Sequence, residues 1–327
     1  MQALKRQPNS AISRPSPSSE RNSPRKLRWK DGALVTGLTD LVRIGLRWDP
    51  SGQAGLTGPL LVLADDCDLA FQRLASRWSV TEERYAAALP AAALADHLRC
   101  FPQQAMFPVT LDPADANLGE FAHGPVVSAD GNVALTRTAP VTTVLTPAAC
   151  YHVYAGHRGE RLPAAQYLTT RNTCFRREPR YQPLRRQRTF SMREIVCLGT
   201  PAEAEAFLAT ARATVDRFAR LIDLPLDWAP ATDPFFRPHD SPGYLLQRIQ
   251  PTKHEATYGG SLALGSANLH GDHFGTAFDI TRDNSPADSA CVAFGIERWL
   301  FALTDRHGLD PDGWPDLPAA ATLAVSR

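Results

Sequence analysis

Residues 171–199 read R-N-T-C-F-R-R-E-P-R-Y-Q-P-L-R-R-Q-R-T-F-S-M-R-E-I-V-C-L-G, and the fold turns on how this stretch is read. It holds eight arginines (Arg171, Arg176, Arg177, Arg180, Arg185, Arg186, Arg188 and Arg193) against Glu178 and Glu194. Both ends alternate as strands do, and Pro179 and Pro183 interrupt the middle, so the stretch reads as a hairpin. Cys174, Arg176 and Glu178 are expected on one face of the incoming strand. Phe190, Met192, Glu194 and Val196 are expected on one face of the returning strand. Guanidinium groups grip phosphate oxygens bidentately, so the hairpin is a candidate phosphate site. Composition alone leaves a solvated basic hairpin equally open.

Working outward, residues 291–299 read C-V-A-F-G-I-E-R-W and set Arg298 in an apolar run. The G-x-x-R core is weak alone, because a helix-surface arginine explains it as well. Residues 251–275 bring Lys253, Glu255, Ser266, Asn268, His270, Asp272 and His273 into one segment. His270 and His273 invite a metal reading, yet two ligands fall short of a zinc set, and a hydrogen-bonded loop competes with it. No G-x-x-x-x-G-K-[ST] loop occurs, so phosphate binding here does not follow P-loop logic.

The clearest helix is 201–222, with Thr200 as N-cap, Pro201 first, and a T-P-A-E capping box closed by Glu203. A further helix is expected from near Ala290 to a His307–Gly308 cap. Strands are expected at 60–64, 126–133, 141–145, 244–249, 261–264 and 275–280, with short alternating segments over 32–49. Residues 79–99 suggest helices, opened by a Ser79/Glu82 capping box and interrupted by Pro90. Grouped strands favour α+β with an antiparallel sheet over a doubly wound parallel one.

The chain has 327 residues, 43% hydrophobic and 21% charged, ordinary values for a globular protein, and no 18-residue apolar run that would span a membrane. Its formal charge of +1 conceals a basic, Ser/Pro-rich leader: residues 1–30 carry eight Lys or Arg against Glu20 alone. Such a composition reads as a disordered tail ahead of a single catalytic domain over 31–327. Six cysteines without a CxxC spacing indicate neither a disulfide framework nor a zinc ribbon, and point to a reducing, cytoplasmic setting.

The F-R-R-E start, the arginine-rich loop and the returning Phe190, joined to G-I-E-R, resemble motifs 2 and 3 of class II aminoacyl-tRNA synthetases. Across roughly residues 140 to 315 the chain more closely resembles the amino acid:carrier protein ligases, truncated homologues of atypical zinc-dependent seryl-tRNA synthetases. The segments that carry this are T-P-A-A-C-Y, R-E-x-V-x-L-G, S-x-N-x-H and C-x-x-F-G-x-E-R. The resemblance implies a class II antiparallel β-sheet flanked by helices, usually a homodimer. The counterpart of the dimer-forming motif 1 is matched only loosely, at 94–108. It further implies ATP-dependent adenylation of glycine, alanine or serine, and transfer to the phosphopantetheine thiol of a carrier protein. Arg176 and Arg298 become catalytic, holding the α- and γ-phosphates. Phe190 stacks on the purine, Glu178 accepts from its amino group, and Glu255 with Ser266 or Asn268 serves Mg²⁺ and the α-phosphate. Lys253 and Asn268 fall to substrate binding. Zn²⁺ falls to Cys150, Glu194 and Cys291, with an open position for the amino group. Buried core thiols are the plain alternative for the cysteines. Residues 31–140 are too short and too weakly basic for a tRNA-docking module, so tRNA is not the expected acceptor.

Overall fold

The computed structural model describes residues 37–240 and 242–326. The basic tail expected over 1–30 lies outside them. The helices named below are α1 (Gly58–Ala75), α2 (Cys150–Gly156), α3 (Pro201–Leu221), α4 (Pro242–Ile249), α5 (His273–Phe278), α6 (Ile296–His307) and α7 (Leu317–Val325). The main sheet has strands β1 (Thr81–Glu83), β2 (Gln166–Phe175), β3 (Thr189–Gly199), β4 (Asp227–Pro230), β5 (Lys253–Tyr258), β6 (Leu262–Gly271) and β7 (Asp288–Gly295). Their spatial order is β1-β2-β3-β7-β6-β5-β4. Every pairing is antiparallel except the short edge strand β1, which runs parallel to β2. This is the α+β sheet expected from the grouped strands.

The long hairpin is present, formed by β2 and β3, with Glu194 opposite Thr170 and Phe190 opposite Cys174. The incoming strand stops at Phe175, so Arg176 and Glu178 leave the ladder rather than continue its face. Helix α3 carries the expected capping box: the Thr200 hydroxyl accepts from the Glu203 N–H at 3.3 Å, and the Glu203 carboxylate accepts from the Thr200 N–H at 2.7 Å. Such a cap contributes about 1 kcal/mol.

Several expected elements have the other period. The run at 60–64 belongs to α1, whose Leu60, Leu63, Ala64, Cys67, Ala70, Phe71 and Leu74 are buried at helical spacing. Residues 244–249 lie in α4, and most of 275–280 lies in α5, where Phe274 and Phe278 are buried one turn apart. Short apolar runs do not distinguish the two periods. Over 79–99 the chain forms β1, a short strand Ala88–Pro90 and the helix Ala95–Cys100. No Ser79/Glu82 box forms there, because Glu82 bonds to Arg193 instead. The final helix begins at Ile296; residues 288–295 form a central strand. Within 126–133 only a bridge between Val127 and Val133 forms.

Strand alternation divides the sheet into two faces. Helices α1, α3 and α6 cover one face, with α7 packed on α1 and α3. Phe71 stacks on Phe294 with centroids 4.3 Å apart and meets Trp299 edge-on at 5.1 Å. Arg193 points into this layer and is 2% exposed, bonded to Asp68 of α1 at 2.6 and 3.0 Å and to Glu82 of β1 at 3.2 Å. Removing one partner would strand a buried cation, which typically costs about 3–5 kcal/mol, so the cluster fixes α1 against β3 and the sheet edge.

The opposite face is covered at one end by α2 and α5, around Val153, Tyr154, Phe274 and Phe278. His157, just past α2, ties that helix to the sheet edge: its Nε2 lies 3.0 Å from Glu83 and its Nδ1 3.0 Å from Glu160. Burial pulls the His157 pKa down, but the hydrogen bonds and charges of Glu160 and Glu83 outweigh it and raise it above 6.5. With the folded pKa raised, this tie stabilises fully below the unfolded value and is lost as pH rises through the folded one. His157→Gln is therefore expected to lower Tm more at pH 5.5–6 than at pH 8.5, read from thermal melts. An equal drop at both would refute the tie.

Candidate functional site

The uncovered part of this second face forms a grid set by register. Glu255 of β5 stands opposite Ser266 of β6, and Lys253 opposite Asn268. Asn268 pairs in turn with Cys291 of β7, and Ser266 with Ala293. Ala293 pairs with Glu194 of β3. Because directly opposed residues and i, i+2 neighbours share a face, Lys253, Glu255, Ser266, Asn268, Cys291, Glu194 and Phe190 all point the same way. Small Ala293 and Gly295, in the C-terminal half of β7, leave open space above the sheet between larger neighbours.

At one end, Cys150, Glu194 and Cys291 converge, with ligand atoms all within 4.8 Å of one another and all three residues buried. Cys150 opens α2, whose start is anchored because the Ala149 N–H donates to Glu194 Oε1 at 2.7 Å. Burial and the neighbouring Cys291 push the Glu194 carboxyl up to about 7, against the hydrogen bonds it receives from Cys150 and Ala149. The two thiols are unequal. Cys291 is held well below an ordinary thiol by its contacts with Cys150, His270 and Asn268, whereas the neighbouring Cys291, burial and the charge of Glu194 push Cys150 up. Three groups that are anionic when deprotonated, buried within 4.8 Å of one another, fit a cation. Two sulfurs and one carboxylate match the three protein ligands of a metal centre that keeps a fourth position for another ligand. The group can hold a metal. Among the described residues, His270 and His273 do not form one together.

At the other end lies the arginine cleft. Arg176 donates from Nε to the Pro147 carbonyl at 2.9 Å and lies over Phe190, 5.1 Å from the ring centroid. Arg298, at the start of α6, donates to the carbonyls of Arg185 and Ala263, both at 2.9 Å. Burial lowers its pKa, and the nearby charges of Arg176 and Arg186 add to the shift. Glu178 accepts from Arg186 at 2.7 Å. Mutually repelling cations in a cleft, with Arg176 and Arg298 held by backbone carbonyls, make a ready polyanion site. Glu297 supports the junction: both its oxygens accept from the Ser191 N–H at 2.9 Å, and burial pushes its carboxyl up to about 7.

Arg176, Glu178, Phe190, Lys253, Glu255, Ser266 and Arg298 line one cleft, and Cys150, Glu194 and Cys291 form the second group, with Asn268 beside Cys291. Other residues enter that single-sequence reading did not single out. Asp233 accepts from Lys253 at 2.6 Å and from Gln247 of α4 at 2.9 Å, tethering α4 to the floor of the cleft. Tyr151, next to Cys150, meets His97 Nδ1 at 2.8 Å, and His97 is held down to about 4 by burial and by the charge of Arg176. Asp233 and His97 stand in no recognisable motif; only packing brings them in.

No protein-family profile matches the chain. It is 36% identical over 188 residues to amino acid--[acyl-carrier-protein] ligase 1 of Bradyrhizobium diazoefficiens, covering 55% of this chain and 57% of that protein. A second such ligase of the same organism is 36% identical over 184 residues, 54% of this chain and 55% of that one. The type-2 serine--tRNA ligase of Methanopyrus kandleri is 27% identical over 191 residues, 53% of this chain and 36% of that protein. The chain's matches therefore span a little over half the length of the ligases. Among solved structures, M. kandleri seryl-tRNA synthetase in complex with Aquifex aeolicus tRNASec superposes with a TM-score of 0.70 at 19% identity, over 84% of this chain and 57% of that one. The Naegleria fowleri cytoplasmic enzyme in complex with AMP gives 0.60 at 12% identity, over 82% and 61%. The fold is that of the class II synthetases, and the family resemblance noted in the sequence is upheld.

The buried trio has a direct test. The purified chain is expected to take up one equivalent of a thiophilic divalent metal, measured by competition with a chromogenic chelator. Glu194→Gln and Cys291→Ala should each abolish stoichiometric uptake. Unchanged uptake by both variants would show that the metal sits elsewhere.

Proposed function

We propose that this chain activates a small amino acid with ATP and passes it to the phosphopantetheine thiol of a carrier protein. The observation that carries the reading is the union, on one sheet face, of an arginine cleft and a buried Cys–Glu–Cys group. One end suits a triphosphate and the other an amino group. The ligases at 36% identity bear the name of that activity, which supports extending it to this chain.

In this reading Phe190 stacks on the adenine, and Glu178 exchanges its bond with Arg186 for one from the adenine amino group. Arg176 keeps its Nε on Pro147 and presents its terminal N–H groups to the α-phosphate. An oxygen of the amino acid's carboxylate attacks the α-phosphorus, and pyrophosphate leaves with its γ-phosphate held by Arg298. Preorganised donors aimed at developing charge are the main source of acceleration in such sites. Mg²⁺ fits beside Glu255 and Ser266, since it needs only one or two protein oxygens next to phosphates. Lys253 and Asn268, one register step away, lie toward the substrate's carboxylate and the ester it becomes.

Zn²⁺ suits two thiolates and a carboxylate, and when bound it supplies a positive charge with an open position for the substrate's amino group. Tyr154 and Phe274, stacked with centroids 3.9 Å apart, pack beside the trio and favour a small side chain. In the second half-reaction the carrier's thiol sulfur attacks the activated carbonyl carbon, and AMP departs with the bonding electrons. The arginines of the 178–189 loop offer a cationic surface to an acidic carrier, raising encounter rate more than final affinity. A homodimer in the cytoplasm completes the proposal. A tRNA acceptor is the competing reading, favoured by the synthetase likeness.

Amino-acid-dependent exchange of labelled pyrophosphate into ATP is expected. Arg176→Ala should lose about 10²–10³ of that rate, the usual effect of removing one charge-stabilising donor. Undiminished exchange would sink the phosphate assignment. With ATP, amino acid, holo-carrier protein and tRNA offered together, label should appear on the carrier, be released by hydroxylamine and be absent from apo-carrier. Label on RNA would put the competing reading first.

A further inference from the structure

Two of the elements that supply the Cys150–Glu194–Cys291 group, and the neighbouring strand β6, each carry a further polar residue beside it. Helix α2 places Tyr154 four residues after Cys150, β7 places Ser289 two before Cys291, and β6 places His270 two after Asn268. These further residues meet. The Tyr154 hydroxyl lies 3.3 Å and the Ser289 hydroxyl 3.4 Å from His270 Nδ1. The other ring nitrogen, Nε2, lies 3.9 Å from Cys291 Sγ. Phe274 holds the imidazole edge-to-face, with centroids 4.9 Å apart at 74°. Asn268 Nδ2 donates to the same sulfur at 3.3 Å.

We propose that His270 is a positioning residue of the metal group, donating its Nε2–H to the Cys291 sulfur. The inference rests on reading that group as a zinc site. A metal-bound thiolate can only accept, so the contact from Nε2 requires the proton on that nitrogen, and Nδ1 is then free to accept from a hydroxyl of Tyr154 or Ser289. His270 thus acts through Cys291 rather than as a ligand. Together with Asn268 it gives the sulfur of β7 two N–H donors, a support that partners of metal ligands commonly provide. Hydrogen bonds to a thiolate draw charge from sulfur, leaving the cation more electron-poor at its open position. The same donors fix the sulfur's direction on the strand.

The test uses the full chain loaded in turn with zinc and with cobalt(II), comparing the parent with His270→Phe and His270→Gln. In His270→Phe, zinc affinity by chelator competition is expected to fall about 10–100-fold, the usual effect of losing such a partner. Its sulfur-to-cobalt charge-transfer band should move to lower energy. His270→Gln, which retains an N–H donor, should recover part of both. If His270→Phe does not fold, the Tyr154→Phe/Ser289→Ala pair, which frees the tautomer, should shift the band in the same direction by less. A parent that binds zinc while the folded variants keep its affinity and band position overturns the inference and leaves the zinc reading standing. A parent that takes up no metal overturns both.

Discussion

Three acid-forming side chains are forced together where they are buried, and much of this face of the molecule is arranged around that constraint. Cys150, Glu194 and Cys291 come from a helix start and two neighbouring strands, with ligand atoms within 4.8 Å. Burial, with the charge of Cys291 added, holds Glu194 up to about 7, and the contact with Cys291, burial and the charge of Glu194 push Cys150 up. The fold tolerates the cluster because β3, β7 and β6 pair in one register, setting Glu194 and Cys291 on one face and the donors of Asn268 beside them. Helix α2 is then held at both ends: the Ala149 N–H reaches Glu194, and His157 reaches Glu83 and Glu160.

The opposite end of the same face presents the inverse problem. Arg176, Arg186 and Arg298 crowd one cleft, and Arg298 is both desolvated and repelled. A structure selected for stability alone would disperse both clusters. Their concentration at two ends of one sheet face is the strain that marks a working site. Between them run Glu255, Ser266 and the small residues Ala293 and Gly295. A molecule carrying a phosphate chain at one end and an amino group at the other complements both clusters at once.

The rigid layer behind makes this arrangement possible. Arg193 and Glu194 are adjacent on β3 and point to opposite faces. One is neutralised by Asp68 and Glu82 in the helical layer, and the other enters the anionic trio. Phe71, Phe294 and Trp299 pack the same layer, so β3 and β7 cannot shift register without exposing a large apolar surface and a charge.

The amino-acid sequence by itself determined a great deal. The 171–199 hairpin, the capped helix after Thr200 and the α+β class followed from local alternation and capping, which are short-range signals. The motif resemblance named Cys150, Glu194 and Cys291, which no local pattern would have joined across the 140 residues between the two cysteines. Tertiary structure decided the rest. Runs such as 60–64, 244–249 and 275–280 are too short to separate a period of two from one of 3.6, and packing chose helix. Register decided that Lys253 faces Asn268 and Glu255 faces Ser266. Contacts from distant segments brought in Asp233, His97 and the second partners of His270, because proximity in space is settled by sheet pairing and burial rather than by spacing along the chain.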